Sequence, residues 1–182
     1  MDFHPRESKR GGAWMTSYRS QKTVDGKRDA PVISIVCNFT KPSANAPALL
    51  TFDEVSTFFH EFGHALHGLL SNVTYRSLAG TSVPRDFVEL PSQIMENWAA
   101  EPEVLNMYAK HYKTGEVIPE ALVNKLKKAG TFDQGFITTE YLAASLLDLE
   151  YHSQTKDITV DANAFEKAAM KKIGLIESII PR

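Results

Sequence analysis

The sequence holds a single cysteine, Cys37, among 182 residues. One thiol excludes an internal disulfide and fits a reducing compartment, so the cytoplasm is the expected location. Long hydrophobic runs are missing as well. No apolar stretch approaches the roughly 20 residues of a membrane-crossing helix. The first residues, Met1-Asp2-Phe3-His4-Pro5-Arg6, lack the apolar core of a signal peptide, so no secretory leader is expected. Charge of one sign is scarce too. The net charge of −2 gives no electrostatic case for nucleic acid or an anionic membrane as a partner. There is no internal repeat and no low-complexity segment. What is present is globular in composition, with 43% hydrophobic and 23% charged residues. The length suits one ordinary domain and suffices to bury a sizeable core.

The periodicities predict a mainly helical chain with a small β element near its start. Residues 1–30 are polar and glycine-containing and read as loops with one short strand. The β-branched run 31–40 (PVISIVCNFT) reads as a strand, and 41–48, with two prolines, as a loop. Thr51-Phe52-Asp53-Glu54 is a capping-box pattern. A helix should follow to about Ser71, with an apolar stripe of Val55, Phe58, Phe59, Phe62, Leu66 and Leu69. A loop with a short strand is expected over 73–85. Asp86 is expected to cap a second helix to about Ala100, in which Pro91 forms a kink or costs a hydrogen bond. Further helices are expected from Pro102 to about Lys113, Pro119 to about Ala129, Asp133 to about His152 and Ala162 to Lys172.

The first helix carries His60-Glu61-Phe62-Gly63-His64, an HExxH motif. Histidines four apart lie about 6 Å apart along the axis and roughly 40° apart around it. Both imidazoles can therefore meet one zinc ion at bonds of about 2.0–2.1 Å. Glu61 leans toward the same cleft, where it can take a proton from water and return it to a leaving amine.

Two histidines need a third protein ligand. A further histidine six residues after His64, with a glycine at three, would be one solution, but those positions hold Leu70 and His67. His67 shares the face of His60 and His64 but lies seven residues, about 10 Å, beyond His60, too far to share its ion. A glutamate from the next helix is the remaining route. Glu89 and Glu96 both qualify, and their spacing of seven puts them on one face.

These residues stand in a specific context. His60 to His67, Gly80-Thr81, Arg85-Asp86-Phe87-Val88-Glu89, Pro91-Ser92-Gln93 and Glu96-Asn97-Trp98 closely resemble the thimet oligopeptidase family of zinc metallopeptidases. That family includes neurolysin, oligopeptidase A and the bacterial peptidyl-dipeptidases, and the last branch is the most similar. Lys9-Arg10-Gly11-Gly12-Ala13-Trp14-Met15, Gln134-Gly135-Phe136 and Thr139-Glu140-Tyr141 are also similar to family segments, so the resemblance covers nearly the whole chain. It implies a zincin-type core with one Zn2+ per chain, held by His60, His64 and Glu89. Glu61 is then the general base, Glu96 a supporting residue, and short peptides the substrates. It also implies that residues 1–182 are part of a larger catalytic domain. The N-terminal lobe and a tyrosine-rich substrate loop of the family have no counterpart here.

Other residues carry more than one reading. Asp86 caps its helix or orients a ligand histidine, and Glu89 has an alternative as a capping partner of Asp86. His67 reads as a hydrogen-bonded structural or cleft residue. Ala79-Gly80-Thr81 forms a plain turn or sets backbone groups beside a peptide. Trp14, Trp98 and Phe58-Phe59-Phe62 are expected in the core, Cys37 as a buried inert thiol, and Lys125, Lys127 and Lys128 on a solvated face. His4, His111 and His152 have no partner pattern. Two rival readings differ in class: a zinc-binding but catalytically inert fragment, and a non-catalytic interaction module with a vestigial site. Apolar surface left bare by truncation predicts self-association, with Ile173 to Ile180 as the contact region.

Overall fold

The computed structural model describes residues 1–176 and Ile179. The chain divides into two compact units, Met1–Pro119 and Glu120–Arg182. No helix among the described residues is long and apolar enough to cross a membrane.

The first unit is more β-rich at its start than the sequence predicts. Strands β1 (Trp14–Arg19), β2 (Lys22–Val24), β3 (Lys27–Asp29) and β4 (Val32–Val36) form two antiparallel pairs, β1 with β4 and β2 with β3. Asp25 and Gly26 join β2 to β3 with φ of 50° and 72°. Two successive positive φ angles make the tight hairpin turn that Asp-Gly favours. Asp25-Gly26 was therefore a readable signal that the loop expectation for 1–30 passed over. In the larger pair Trp14 faces Val36 and Met15 faces Ile35, with a bulge between Ser17 and Arg19. The N-terminal residues run beside β4. The Asp2 N–H donates to Ile35, and Cys37 and Phe39 donate back to Asp2 and Phe3. The buried Lys9 ammonium pins this arrangement by donating to the Asp2, His4 and Cys37 carbonyls.

Helix α1 (Phe52–Leu69) begins where the capping box predicts. Thr51 accepts from the Glu54 N–H at 3.2 Å, and the Glu54 carboxylate accepts from the Thr51 N–H at 2.9 Å. Ala65 packs with Ile35, Cys37 and Phe39, flanked by Phe3, Met15, Ile33, Phe58 and Phe62. One face of α1 thus lies on the β1–β4 sheet, while Leu69, assigned to the stripe, is exposed.

Helix α2 runs from Leu90 to Ala99, starting later than expected. Residues 84–89 form turns, with Phe87 N–H donating to Pro84 and Leu90 N–H to Phe87. Glu89, not Asp86, occupies the capping position. Pro91 falls in the first turn, where no intrahelical N–H is required, so it neither kinks the helix nor breaks a bond. Trp98, expected in the core, is 51% exposed. Trp14 is half-buried beneath the Arg10 guanidinium, 5.0 Å from its ring. Helix α3 (Pro102–Tyr108) ends five residues before the expected Lys113. The chain doubles back there, with Lys110 bridging to Val117 and Gly115 at φ 75°. The helix breaks at Ala109, whose ψ of 75° turns the chain out of the helical path as the Lys110 N–H donates to Tyr108. Instead of a strand, 73–85 contains a short 3-10 turn, Arg76–Leu78.

The second unit holds α4 (Glu120–Ala129), α5 (Gln134–His152) and α6 (Ala162–Lys172), with boundaries close to those read from the sequence. Asp161 caps α6 by accepting from Asn163 and Ala164 N–H. Ala143, Ala169 and Met170 make its small core. Lys125, Lys127 and Lys128 are exposed as expected. Part of the expected contact region, residues 177, 178 and 180, lies outside the described residues.

Candidate metal centre

Helix α1 presents His60 and His64 on one face with ring centroids 4.8 Å apart. The turn before α2 brings Glu89 to them. One carboxylate oxygen, Oε2, lies 3.3 Å from His60 Nε2 and 3.1 Å from His64 Nε2. One ligand atom from each of the three residues lies within 4.8 Å of the others. Tetrahedral ligands with bonds of about 2.0–2.1 Å stand about 3.3 Å apart, so this spacing suits a single zinc ion. Two imidazoles and a carboxylate are also the donor set of an open zinc site that keeps one position for water or substrate. The residues fit the ion.

Partners around these groups fix their orientation. Glu96, one helical face further along α2, holds His60 Nδ1 at 2.6 Å. A carboxylate on Nδ1 leaves Nε2 free to ligate and raises its basicity. The two glutamates thus divide the work on His60: Glu89 faces Nε2 and Glu96 holds Nδ1. Ser92 Oγ lies 2.8 Å from Glu89 Oε2 and 3.0 Å from the Glu89 carbonyl and donates to them. Sequence reading missed Ser92, although its position three after Glu89 was a usable signal.

Glu61 is buried, and its Oε2 has no hydrogen-bond partner among the described residues. Burial pushes its carboxyl above the usual range, and the nearby Glu89 charge adds to the rise. His60 and a hydrogen bond from the Met15 main chain pull the other way. Burial likewise lowers the pKa of His64, with the Glu89 charge opposing, which favours the neutral ligating imidazole. Behind Glu61, burial and then the Glu61 charge push the Cys37 thiol up to about 11. Cys37 is buried and free, as expected.

An open cleft of about 340 Å³ is lined by His60, Glu61, His64 and Glu89 together with Trp14 and Thr81. The β1 edge was not foreseen as a wall of the site. Its sequence signal is the Lys9 to Met15 segment, which enters the sequence analysis only through the resemblance. Asp86 is exposed and has no hydrogen bond or ion pair among the described residues. His67 contacts the Phe87 ring at 6.0 Å and lies outside the three-residue cluster. Gly80, at φ 56°, donates its N–H to Ser71 Oγ, so its turn is tied to the end of α1. His4, His111 and His152 bond instead to Phe39, Thr114 and Asp148.

The model of peptidase family M3 matches residues 1–179. The chain is 46% identical over 170 residues to a dipeptidyl carboxypeptidase of Escherichia coli strain K12, covering 93% of this chain and 25% of that protein. It is 39% identical over 183 residues to oligopeptidase A of the same organism, covering 100% of this chain and 26% of that one. Saccharolysin of Saccharomyces cerevisiae is 41% identical over 154 residues, covering 84% of the chain and 22% of the relative. The chain therefore spans about a quarter of the length of these curated relatives.

Proposed function

Because the chain belongs to peptidase family M3, we propose that it carries the catalytic centre of a zinc metallopeptidase that cleaves short peptides. The observation that carries the reading is the convergence of His60 Nε2, His64 Nε2 and Glu89 Oε2 beside the buried Glu61. We read this as a zincin-type core within a larger catalytic domain, in keeping with relatives about four times longer. A free buried thiol suits the cytoplasm.

His60, His64 and Glu89 hold the ion. The chemistry that bound zinc supplies is Lewis acidity toward a carbonyl oxygen and a water nucleophile usable near neutral pH. Glu61 accepts the water proton at its carboxylate as the scissile carbonyl is attacked, then returns it to the leaving amine. Glu96 keeps the His60 ring in its ligating orientation. Trp14 and Met15, on β1, border the cleft and wall the path of a bound peptide, and the Met15 main chain hydrogen-bonds the Glu61 carboxylate.

The test pairs metal analysis with turnover. We expect about one zinc per chain, with strong loss in His60→Ala and Glu89→Ala. Glu61→Gln should keep the metal and abolish peptide cleavage in the full-length enzyme. A chain that stays metal-free in excess zinc overturns the reading and favours a vestigial interaction module. A second reading applies to the 182-residue chain alone, and its coverage of about a quarter of its relatives favours it. On that reading the isolated chain binds zinc but turns over poorly, because walls that orient a peptide are supplied elsewhere. Robust cleavage by the isolated chain would sink it.

A further inference from the structure

Glu89 stands in a turn and its side chain is 49% exposed, yet a ligand must be placed to a few tenths of an ångström. Something must hold it. Two features of the α1–α2 contact do so. Gly63 lies between the two ligand histidines and is buried against the first turn of α2. A Cβ on Gly63 would stand 2.5 Å from Ser92 Cα, 2.6 Å from the Pro91 oxygen and 2.9 Å from the Pro91 carbonyl carbon. All three atoms are backbone, so no rotamer change could relieve the clash. Ordinary carbon contacts lie at about 3.5–4.0 Å, so an alanine would push the start of α2 away by roughly 1 Å. Ser92, the residue against Gly63, is fully buried and donates to the Glu89 oxygen that faces both histidines.

We propose that Gly63 and Ser92 form a seat that positions the Glu89 carboxylate and so sets the metal affinity of the site. Gly63 permits the helices to approach, and Ser92 converts that approach into a hydrogen bond on the ligand oxygen. Both are positioning residues, and the proposal rests on the zinc reading above. Gly68, five residues further along α1, provides a contrast. A Cβ there would meet the tip of the Ile33 side chain, so its substitution strains the β4 contact and leaves α2 in place.

The experiment measures the zinc dissociation constant by chelator competition for the 182-residue chain, alongside the Tm of each metal-free protein. Gly63→Ala should weaken zinc at least tenfold. Ser92→Ala, which introduces no clash and removes only the hydroxyl, should weaken it about 10- to 100-fold. Gly68→Ala should lower Tm but hold zinc within about threefold of the parent, the distinction a merely structural effect would not produce. Parent-like affinity in Ser92→Ala, or in a folded Gly63→Ala, overturns the seat. So does an equal affinity loss in Gly68→Ala. Failure of the parent chain to bind zinc refutes the metal reading itself, and the seat with it.

Discussion

At the scale of single residues, His60 shows how two carboxylates can act on one imidazole without competing. Glu89 approaches Nε2 and Glu96 holds Nδ1 at 2.6 Å. Glu96→Ala should therefore weaken zinc about 10- to 100-fold while the three ligand side chains remain, measured by competition with a chelator. An unchanged dissociation constant would show that the Nδ1 contact does not matter to the site. Cys37 gives a pH prediction. Its thiol is raised from an ordinary 9.0 to about 11, so it should stay protonated and resist alkylation at pH 8. The folded state holds this proton more tightly than the unfolded chain. Its contribution to stability is complete below pH 9.0 and is lost as pH rises through about 11. Rapid reaction with a thiol reagent in the native protein at pH 8 would contradict this.

At the scale of elements, the start of α1 deserves a direct measurement because that helix carries both histidines and Glu61. Thr51→Ala removes the cap and should cost about 1 kcal/mol in urea unfolding. Glu54 completes the box and also accepts from the Thr40 N–H and hydroxyl. Those bonds, the Thr51 N–H foremost, hold its carboxyl below the ordinary range. Its stabilisation is present above the unfolded pKa of about 4.3 and is lost as pH falls through the depressed value. Glu54→Gln should accordingly flatten the acid limb of the stability curve, and an unaltered limb would assign acid sensitivity to other carboxylates. Helix ends followed local signals unequally. The capping box worked because short-range hydrogen bonds settle it, and Asp161, not read as a cap, closes the start of α6 by the same local means. Asp86 failed as a cap because turns over 84–89 delay α2 until Leu90, where Pro91 can occupy the first turn.

At the scale of the whole molecule, the second unit carries much exposed apolar surface. Phe132, Tyr141 and Leu149 are each more than 60% exposed, and Phe136, Ile137 and Leu142 about half. Exposed apolar side chains in this number favour contact with other molecules or aggregation. We propose that the isolated chain self-associates through this surface, with Ile173 and Ile176 contributing. Sedimentation should show mass rising with concentration, and a monomer across the range would refute it. All residues of the candidate metal centre, from Trp14 to Glu96, belong to the first unit.

The sequence by itself determined the spacing of the candidate ligand pair. His60 and His64 lie on one helix, so their separation follows from covalent geometry and needs no tertiary contact. It also determined the mainly helical class, because long 3.6-residue periodicities survive without context. Spacing alone left Glu89 and Glu96 equivalent, and only resemblance to known enzymes separated them. Tertiary structure decided which atom of His60 each one meets, since that depends on how closely α2 approaches α1. That approach is permitted by the missing side chain at Gly63, and the buried hydroxyl of Ser92 then holds the Glu89 carboxylate, two features whose meaning appears only when the helices are packed.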